Sequence, residues 1–235
     1  MNAVAPASWI EKDGLLREPR LGLRHGFTTR RLGNMKDVSR RREAAELLGL
    51  PEPLTLKQVH GITIHDAVQK NAGLEGDGWL LSRPGLTVGV YAADCVPLFL
   101  WAEDGKAAGV FHAGWRGTAK KMAMAAVAAF RDRLGVPASQ LFAATGAHIG
   151  ACCYKVGPEL KKDFPESSFI SRDGALWLDL AAETRRQLIE SGLSPEKIGG
   201  PAPCTSSNMD DYFSFRRDKQ DARMLALLSL ERWPS

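Results

Sequence analysis

Apolar runs separated by short turn-forming segments dominate the middle of the chain. Between residues 87 and 118, two runs rich in valine, leucine and phenylalanine flank the dipeptide Asp104-Gly105. Strand-forming residue types on both sides of such a turn predict a β-hairpin. Cys95 and His112 lie at similar distances from this turn. A roughly in-register hairpin would therefore bring a thiol and an imidazole to the same end of a sheet.

Apolar residues at helical spacing predict three helices. The patterns cover residues 37–48, 118–134 and 179–190, and each begins with an acidic or hydroxyl residue and ends close to a glycine. The second helix would follow the hairpin directly, with Thr118 as its N-cap. Its free backbone N–H groups and its dipole would then point towards the strand end that carries His112.

Shorter patterns predict strands and loops in the rest of the chain. Residues up to about 24 are predicted as an N-terminal arm or an edge strand, because prolines and glycines interrupt them. Periodicity leaves residues 222–230 open between strand and helix. We predict strands at residues 54–59, 62–67, 141–149 and 213–217, a polar loop that begins with residues 25–30, and a long loop at residues 71–85.

The composition indicates a globular, weakly basic protein. Its 31 basic and 27 acidic residues give a net charge of +4, which is too small to indicate a nucleic-acid or membrane partner. The N-terminus carries no export-signal pattern, and no apolar run approaches the length of a membrane span. We therefore expect a cytoplasmic protein whose four cysteines are reduced, including the adjacent pair Cys152-Cys153.

Three residues are candidate metal ligands. His60 precedes a glycine at the end of a predicted strand, and Cys95 and His112 lie at the base of the predicted hairpin. Two histidines and one cysteine form a known ligand set of catalytic zinc sites with an open fourth position. Their spacing matches no compact metal-binding pattern, so structural roles for all three remain the alternative.

Charged residues near these ligands are candidates for binding a substrate. Arg116 lies beside the predicted helix start at Gly117-Thr118, and an anion could be held there with help from Arg30 or Arg216. For each arginine, an exposed side chain without a ligand is the alternative. Asp94 precedes a candidate ligand and could orient His60 or His112, or act as a proton shuttle.

Six short motifs follow one another along the chain. They are Gln58-Val59-His60-Gly61, Ala93-Asp94-Cys95-Val96-Pro97, the run from His112 to Thr118 (His-Ala-Gly-Trp-Arg-Gly-Thr), Ile149-Gly150 with Tyr154-Lys155-Val156-Gly157, Cys204-Thr205, and Phe213-Ser214-Phe215-Arg216-Arg217. In this order they resemble the motifs of the laccase-domain family, also called the polyphenol oxidoreductase-like or peptidoglycan-editing-factor family. The resemblance covers nearly the whole chain after His25. The chain departs from the family pattern at Gly146-Ala147, where Gly-Pro is common, and at Asp221-Ala222-Arg223, where Thr-Gly-Arg is common.

The resemblance implies both a fold and an activity. The expected fold is α/β, a single layered α-β-β-α sandwich-like domain over residues 1–235, similar to the catalytic domain of cytotoxic necrotizing factor. The implied activity is zinc-dependent phosphorolysis of purine nucleosides (adenosine, inosine, guanosine or methylthioadenosine) to the base and ribose 1-phosphate, with adenosine deamination as a side activity. The implied catalytic zinc ligands are His60, Cys95 and His112, and the candidates for binding nucleoside and phosphate are Arg30, Gln58, Asp94, Arg116, Thr118 and Arg216.

Three alternatives use overlapping residues. Members of the family have been called laccases, but five histidines are too few for a blue-copper centre and a trinuclear cluster, so copper would have to occupy one small site. In a second alternative, Cys95 is a nucleophile activated by His112 in a hydrolase that edits peptidoglycan precursors. In a third, the protein is a binding module with a structural zinc, completed by Cys152, Cys153 or Cys204.

Overall fold

The computed structural model of the chain describes residues 9–233, and no helix in this part is long and apolar enough to cross a membrane. Its strands are β1 (Ile10–Lys12), β2 (Leu15–Arg17), β3 (Leu23–Thr28), β4 (Leu54–Thr55), β5 (Ile64–Asp66), β6 (Gly78–Leu81), β7 (Thr87–Ala92), β8 (Val96–Ala102), β9 (Ala108–Ala113), β10 (Leu141–Thr145), β11 (Lys155–Val156), β12 (Phe169–Arg172), β13 (Ala175–Leu178) and β14 (Met224–Arg232). Its α-helices are α1 (Val38–Glu46), α2 (Trp115–Ala119), α3 (Met122–Leu134), α4 (Leu180–Glu190) and α5 (Phe215–Asp218).

The strands form three sheets. One sheet has six strands in the order β1-β2-β3-β14-β7-β4, and a second has five in the order β10-β8-β9-β6-β5. A small sheet has the order β11-β13-β12. Neighbouring strands are antiparallel except for the pairs β4–β7 and β5–β6, which are parallel.

The alternation of side chains along β14 and β8 shows how the layers stack. In β14, Leu225 and Leu227 pack with buried residues of α1, whereas the residues between and beside them face the second large sheet. In β8, Phe99 and Trp101 face the first large sheet, and Leu98 packs with buried residues of α3. Side chains that alternate between two apolar layers bury both faces of a sheet. The order is therefore helix, sheet, sheet, helix, and the predicted α-β-β-α sandwich is confirmed.

Several predicted elements are confirmed, and others are wrong. Helix α1 begins after Asp37, whose side chain accepts a hydrogen bond from Ser39, and α4 is capped in the same way by Asp179. The predicted loop at residues 71–85 contains β6, a central strand of only four residues whose Trp79 is fully buried. The predicted loop at residues 25–30 belongs mostly to β3.

Two predictions near the C-terminus meet different outcomes. Residues 222–230, for which the sequence pattern did not distinguish a strand from a helix, lie mostly in β14. The predicted strand at residues 213–217 is wrong, because Ser214 caps the short helix α5 by accepting a hydrogen bond from the Arg217 N–H. Arg216 and Arg217 therefore do not alternate across a strand. Residues 10–12 and 15–17 form the edge of the six-stranded sheet, and the rest of the predicted arm, residues 1–8, lies outside the described residues.

The predicted helix at residues 118–134 is two helices, and Thr118 is not its cap. Helix α2 begins after Gly114, and α3 begins after Lys121, whose φ of 69° lies in the left-handed region. The Thr118 N–H donates to the Gly114 carbonyl at 2.8 Å, and its hydroxyl donates to the Ala113 carbonyl at 3.4 Å. Because these groups are already bonded, Thr118 offers no free donor for an anion.

Buried polar side chains of α4 hold α2 in place behind the hairpin. The Gln187 amide donates to the Thr118 carbonyl and to Glu183, each at 2.8 Å. Glu183 is only 1% exposed and also accepts hydrogen bonds from Arg186 and Ser168. Burial alone would raise the pKa of Glu183, but the donors from Arg186, Gln187 and Ser168 lower it to about 2. This network fixes the position of α2 relative to the strands.

We predict that Glu183→Ala lowers the free energy of unfolding at pH 7 by roughly 2–3 kcal/mol, because it leaves buried donors unpaired. The exposed Glu190→Ala, at the end of the same helix, should cost about 0–1 kcal/mol. Since the folded pKa lies below the unfolded value of about 4.3, the contribution of Glu183 is lost as the pH falls from about 5 towards 2. Urea unfolding at several pH values measures both effects, and equal costs for the two variants would contradict the prediction.

Candidate active site

The register of the β8–β9 hairpin places Cys95 and His112 side by side. Val96 pairs with Ala113 and Pro97 pairs with His112, so Cys95 lies one position before the first paired residue. Every residue of both strands is buried, which fixes the register because a slip would exchange the two faces. The prediction that the hairpin brings the thiol and the imidazole to one end of the sheet is confirmed.

The buried carboxylate of Asp77 positions His60 and His112 together. It accepts hydrogen bonds from the backbone N–H groups of Val59 (3.2 Å), His60 (2.9 Å) and Gly61 (2.7 Å). It also lies 2.8 Å from Nδ1 of His112. His60 has a φ of 58°, a left-handed conformation that is uncommon for a side chain other than glycine. The carboxylate thus holds the loop after β4 in the shape that turns His60 towards the hairpin.

Glycines of α2 allow these groups to approach one another. A Cβ atom at Gly114 would lie 2.8 Å from Cys95 Sγ and 2.9 Å from Cδ2 of His60. A Cβ atom at Gly117 would lie 3.0 Å from the carbonyl oxygen of Gly61. All three distances are shorter than ordinary van der Waals contacts, so any larger residue would push the loop of His60 away from the hairpin.

His60, Cys95 and His112 form one compact group. Their ligand atoms all lie within 4.8 Å of one another, and the two imidazole centroids are 4.9 Å apart with an interplanar angle of 72°. Asp77 occupies Nδ1 of His112, which leaves Nε2 as the ring nitrogen for a ligand. A group of two imidazoles and one thiol in this arrangement can bind a metal ion.

Cys95 and His112 also form a strongly polarised pair. Burial alone would raise the pKa of Cys95, but the charge of His112 and hydrogen bonds from His112 and His60 lower it to about 6. Burial alone would lower the pKa of His112, but the charge of Cys95 and the hydrogen bond to Asp77 raise it to about 9. At neutral pH and without a metal, the thiolate and the imidazolium are therefore the stable forms.

The three residues lie in a cavity of about 720 Å³. Six cationic side chains and one acidic side chain, Asp94, line it. Asp221 pairs with Lys36 and Arg223, and Glu75 pairs with Lys57, so Arg116, Arg216 and Lys219 are the lining cations without an ion pair in the described residues, and they favour an anionic ligand. Aromatic rings line it as well, which suits a planar ligand. The cationic residues are Lys36, Lys57, Arg116, Arg216, Lys219 and Arg223, and the aromatic residues are Tyr91, Trp115, Tyr154 and Phe215.

Two of the predicted binding arginines line the cavity. Arg116 is exposed, lies 4.3 Å from the centroid of the Trp115 ring, and forms no side-chain hydrogen bond or ion pair within residues 9–233. Arg216 donates to the carbonyl of Lys155 at 3.1 Å and lies 5.0 Å from the Tyr154 ring. Arg30 does not line the cavity, because its guanidinium bonds the carbonyl of Met209 on another part of the surface.

Gln58 and Asp94 line the cavity but are engaged with the protein. The Gln58 amide donates to the carbonyl of Tyr91 at 2.9 Å and accepts from its N–H at 2.7 Å. The Asp94 carboxylate accepts from the Thr205 hydroxyl at 2.6 Å and from the Arg216 N–H at 2.8 Å. The expectation that Asp94 orients a histidine is therefore wrong, since Asp77 does so for His112.

Sequence reasoning missed Asp77 entirely. It lies between Gly76 and Gly78, in a segment predicted as a loop, and nothing in the local pattern distinguishes it from a turn aspartate. Its burial and its four hydrogen bonds arise only when the loop of His60 and strand β9 meet. An acidic residue directly before an apolar four-residue run is the only local signal, and it is weak.

The other cysteines do not complete this site. The sulfur atoms of Cys152, Cys153 and Cys204 form a group of their own, separate from the group of Cys95. The expectation that one of them adds a fourth ligand to a closed structural zinc site is therefore wrong for the described residues. All four cysteines are free thiols.

We predict that Asp77→Asn weakens binding of Zn²⁺ by about 10- to 100-fold, because loss of an outer partner leaves His112 less basic and less well oriented. Asp94→Asn is the matched comparison, since Asp94 lies in the same cavity but bonds neither histidine. Competition with a zinc-binding dye measures both affinities. An unchanged affinity in Asp77→Asn, or an equal loss in both variants, would contradict this role for Asp77.

We also predict that alkylation of Cys95 in the metal-free protein reaches half its maximal rate near pH 6. The thiolate fraction rises through that pH, whereas an ordinary cysteine would respond near pH ~8.5. Cys152 serves as an internal control, because burial and its neighbouring thiols raise its pKa. Peptide mapping after a timed iodoacetamide pulse gives both profiles, and a Cys95 profile centred at alkaline pH would refute the prediction.

Comparisons with known proteins place this geometry in a family. A family model described as multi-copper polyphenol oxidoreductase laccase matches residues 24–231. A purine nucleoside phosphorylase of Xylella fastidiosa (strain 9a5c) is 34% identical over 201 residues, which span 80% of this chain and 76% of the relative. The adenosine deaminase RL5, from an unknown prokaryotic organism, is 33% identical over 161 residues, which span 65% of this chain and 61% of the relative.

A solved structure agrees with the fold. The crystal structure of YlmD from Geobacillus stearothermophilus matches with a TM-score of 0.88 and 29% identity, over 97% of this chain and 100% of that chain. The layered α/β architecture is therefore shared, and the similarity to the cytotoxic necrotizing factor domain stays a prediction. The family resemblance of the sequence motifs is confirmed: the chain is an enzyme of the multi-copper polyphenol oxidoreductase laccase family.

Proposed function

We propose that this protein is a zinc-dependent purine nucleoside phosphorylase, which splits a nucleoside such as adenosine, inosine, guanosine or methylthioadenosine with phosphate. The observation that carries the proposal is a single cavity with His60, Cys95 and His112 at its base and six cationic side chains around it. Its volume of about 720 Å³ lies in the usual range for small-molecule sites and suits a nucleoside with a phosphate ion.

The donor set fits zinc better than a copper cluster. His60, Cys95 and His112 would hold the ion, and their two nitrogens and one sulfur are typical of catalytic zinc sites. A bound zinc ion would supply Lewis acidity at its open coordination position. The other three histidines lie elsewhere, and two of them, His25 and His148, are buried and bonded to the carbonyls of Leu23 and Gly146. This chain therefore lacks the imidazole groups of a trinuclear copper centre in its described residues.

The basic rim supports phosphate as the co-substrate. Arg116 is free of protein partners within the described residues, so its donors can reach an anion without breaking an ion pair. Arg216 and Lys219 lie on the α5 side of the cavity and add positive charge there. In phosphorolysis, a phosphate oxygen attacks C1′ of the ribose, and the electron pair of the glycosidic bond leaves with the base. The rim would hold the phosphate for that attack and neutralise its charge.

Tyr154 is a candidate proton donor within the cavity. Burial, followed by the charge of Cys95, raises the pKa of its phenol, so the hydroxyl stays protonated at neutral pH. It could donate a hydrogen bond to a purine nitrogen as the base leaves, while the aromatic rings of Trp115 and Phe215 offer faces for the base. Asp94 would act indirectly, because it fixes the backbone of Arg216.

Two other activities have a specific observation behind them. The similarity to an adenosine deaminase favours deamination of adenosine as a side reaction at the same metal position. The lowered pKa of Cys95 and the raised pKa of His112 favour a cysteine hydrolase that acts without a metal. The phosphorylase is preferred, because it gives a role both to the basic rim and to the ligand group of His60, Cys95 and His112, whereas a metal-free hydrolase leaves His60 without a role.

We predict that the zinc-loaded protein releases adenine from adenosine only when phosphate is present, and that Cys95→Ala abolishes this release. Arg116→Ala should raise the KM for phosphate about tenfold or more, with little change in the KM for the nucleoside, because a charge-assisted hydrogen bond to phosphate is lost. Arg83→Ala, an exposed arginine outside the cavity, is the control. Chromatography of base, ribose 1-phosphate and inosine measures all products.

The products separate the alternatives. Phosphate-independent release of adenine would indicate hydrolysis and contradict the proposal. Inosine as the sole product would assign the site to deamination. A protein that turns over no nucleoside even when it is loaded with zinc, but whose Cys95 is rapidly alkylated by an electrophile, would favour the hydrolase.

A further inference from the structure

A second cluster of thiols lies outside the cavity. Cys152 and Cys153 follow Gly150 in a tight turn, and Cys204 lies beside them at the far end of the sequence. Their three sulfur atoms all lie within 4.8 Å of one another, and those of Cys152 and Cys153 are 3.6 Å apart. None of the three lines the nucleoside cavity, so the proposed activity does not explain their convergence.

The backbone of both segments is held in place by hydrogen bonds. In the turn, the N–H groups of Cys153 and Tyr154 both donate to the Gly150 carbonyl at 3.0 Å. On the other side, Thr205 donates its N–H to the His148 carbonyl at 2.9 Å, next to the bridge between His148 and Cys204. The thiols are therefore brought together by the fold rather than by flexible side chains alone.

Three convergent thiols suit a metal better than a disulfide. A disulfide uses two sulfurs, and the neighbouring Cα atoms of Cys152 and Cys153, about 3.8 Å apart, are closer than the ~4.4–6.8 Å of ordinary disulfides. Sulfur ligands about 2.3 Å from a shared metal ion are separated by about 3.8 Å in tetrahedral geometry and by about 4.0 Å in trigonal geometry. The sulfur atoms of Cys152 and Cys153 are 3.6 Å apart, so a small side-chain adjustment would bring them to either value.

We propose that Cys152, Cys153 and Cys204 form a second metal site, which binds a soft cation such as Cu(I) through three thiolates. Soft sulfur ligands select Cu(I) and zinc over the harder divalent ions. Structural zinc takes four protein ligands, and no fourth His, Cys, Asp or Glu joins this group among residues 9–233, so the three-ligand site suits Cu(I) better. On binding, the remaining thiol protons pass to solvent and the copper stays monovalent.

The surroundings already favour one thiolate. The N–H of Gly150, whose nitrogen lies 3.2 Å from Sγ of Cys204, donates a hydrogen bond to that sulfur and would stabilise its thiolate. The guanidinium of Arg172 bonds the Cys152 carbonyl at 3.3 Å and forms no ion pair within the described residues, so it would offset part of the negative charge of the filled site.

Copper titration of the full chain tests the proposal. The reduced, metal-stripped protein is titrated without oxygen with Cu(I) supplied as its acetonitrile complex, in competition with bicinchoninate. The titration uses the Cys95→Ala variant, because this substitution removes the only thiolate of the site formed by His60, Cys95 and His112. We expect this variant to bind a single equivalent, with three sulfur neighbours to copper by X-ray absorption.

Variants of the cluster complete the test. The double variant Cys95→Ala/Cys152→Ser should keep the fold, because Cys152 is exposed. Its affinity for Cu(I) should fall by more than ~100-fold, which is the largest loss expected when a residue that only supports a metal ligand is removed. Cys95→Ala/Cys204→Ser should show the same loss, and Cys95→Ala/Ser171→Ala, an exposed strand residue, none. Absence of binding in Cys95→Ala, unchanged affinity in the cysteine double variants, or fewer than three sulfur neighbours would overturn the proposal. The readout is metal binding, so it does not depend on the nucleoside activity.

Discussion

The buried carboxylate of Asp77 is the interaction on which the candidate active site depends. It has no solvent exposure, and three consecutive backbone N–H groups and one imidazole nitrogen surround its two oxygens. These donors lower its pKa against the effect of burial, so it stays charged at neutral pH. A single charge thereby sets the shape of the loop that carries His60 and the ring orientation of His112. The two histidines lie in separate elements, and without this carboxylate no single group would fix the position of one relative to the other.

The sandwich supplies the rigid frame for this arrangement. Both large sheets bury both faces, and the β8–β9 hairpin is central in its sheet, so the position of Cys95 relative to His112 is fixed by packing on two sides. Helix α2 then closes over the hairpin at Gly114, where a side chain would collide with the cysteine and with His60. Gly114 and Gly117 are therefore needed because the hairpin, the loop of His60 and α2 lie so close together. Gln187 of α4 holds α2 at that distance.

The sequence predicted the parts of the site that depend on local pattern. The turn at Asp104-Gly105 and its flanking apolar runs were enough to bring Cys95 and His112 together, because a two-fold side-chain period and a known turn determine register. Features that depend on distant contacts were not predictable in this way. Strand β6 is too short to be distinguished from a loop by its pattern. The helical pattern also continues through Lys121, where the chain takes a φ of 69° and the lysine pairs with Glu183 of α4, a contact between residues distant in the sequence. Asp77 acquires its role only when His60 and His112 are already in place.

The loop that begins at Gly150 connects the two groups of candidate ligands. Its flanks, Ile149 and Tyr154, line the cavity of the candidate active site, while its tip carries Cys152 and Cys153. Ile149 donates its N–H to the Asp94 carbonyl at 2.9 Å, and Thr205, next to Cys204, holds the Asp94 side chain at 2.6 Å. Asp94 in turn fixes the backbone of Arg216 at the rim. Asp94, which the sequence suggested as a partner of a histidine or of the substrate, thus belongs to the wall between the two groups. The hydrogen bonds of Asp94 therefore join the segment beside the thiol cluster to the side of the cavity that carries Arg216.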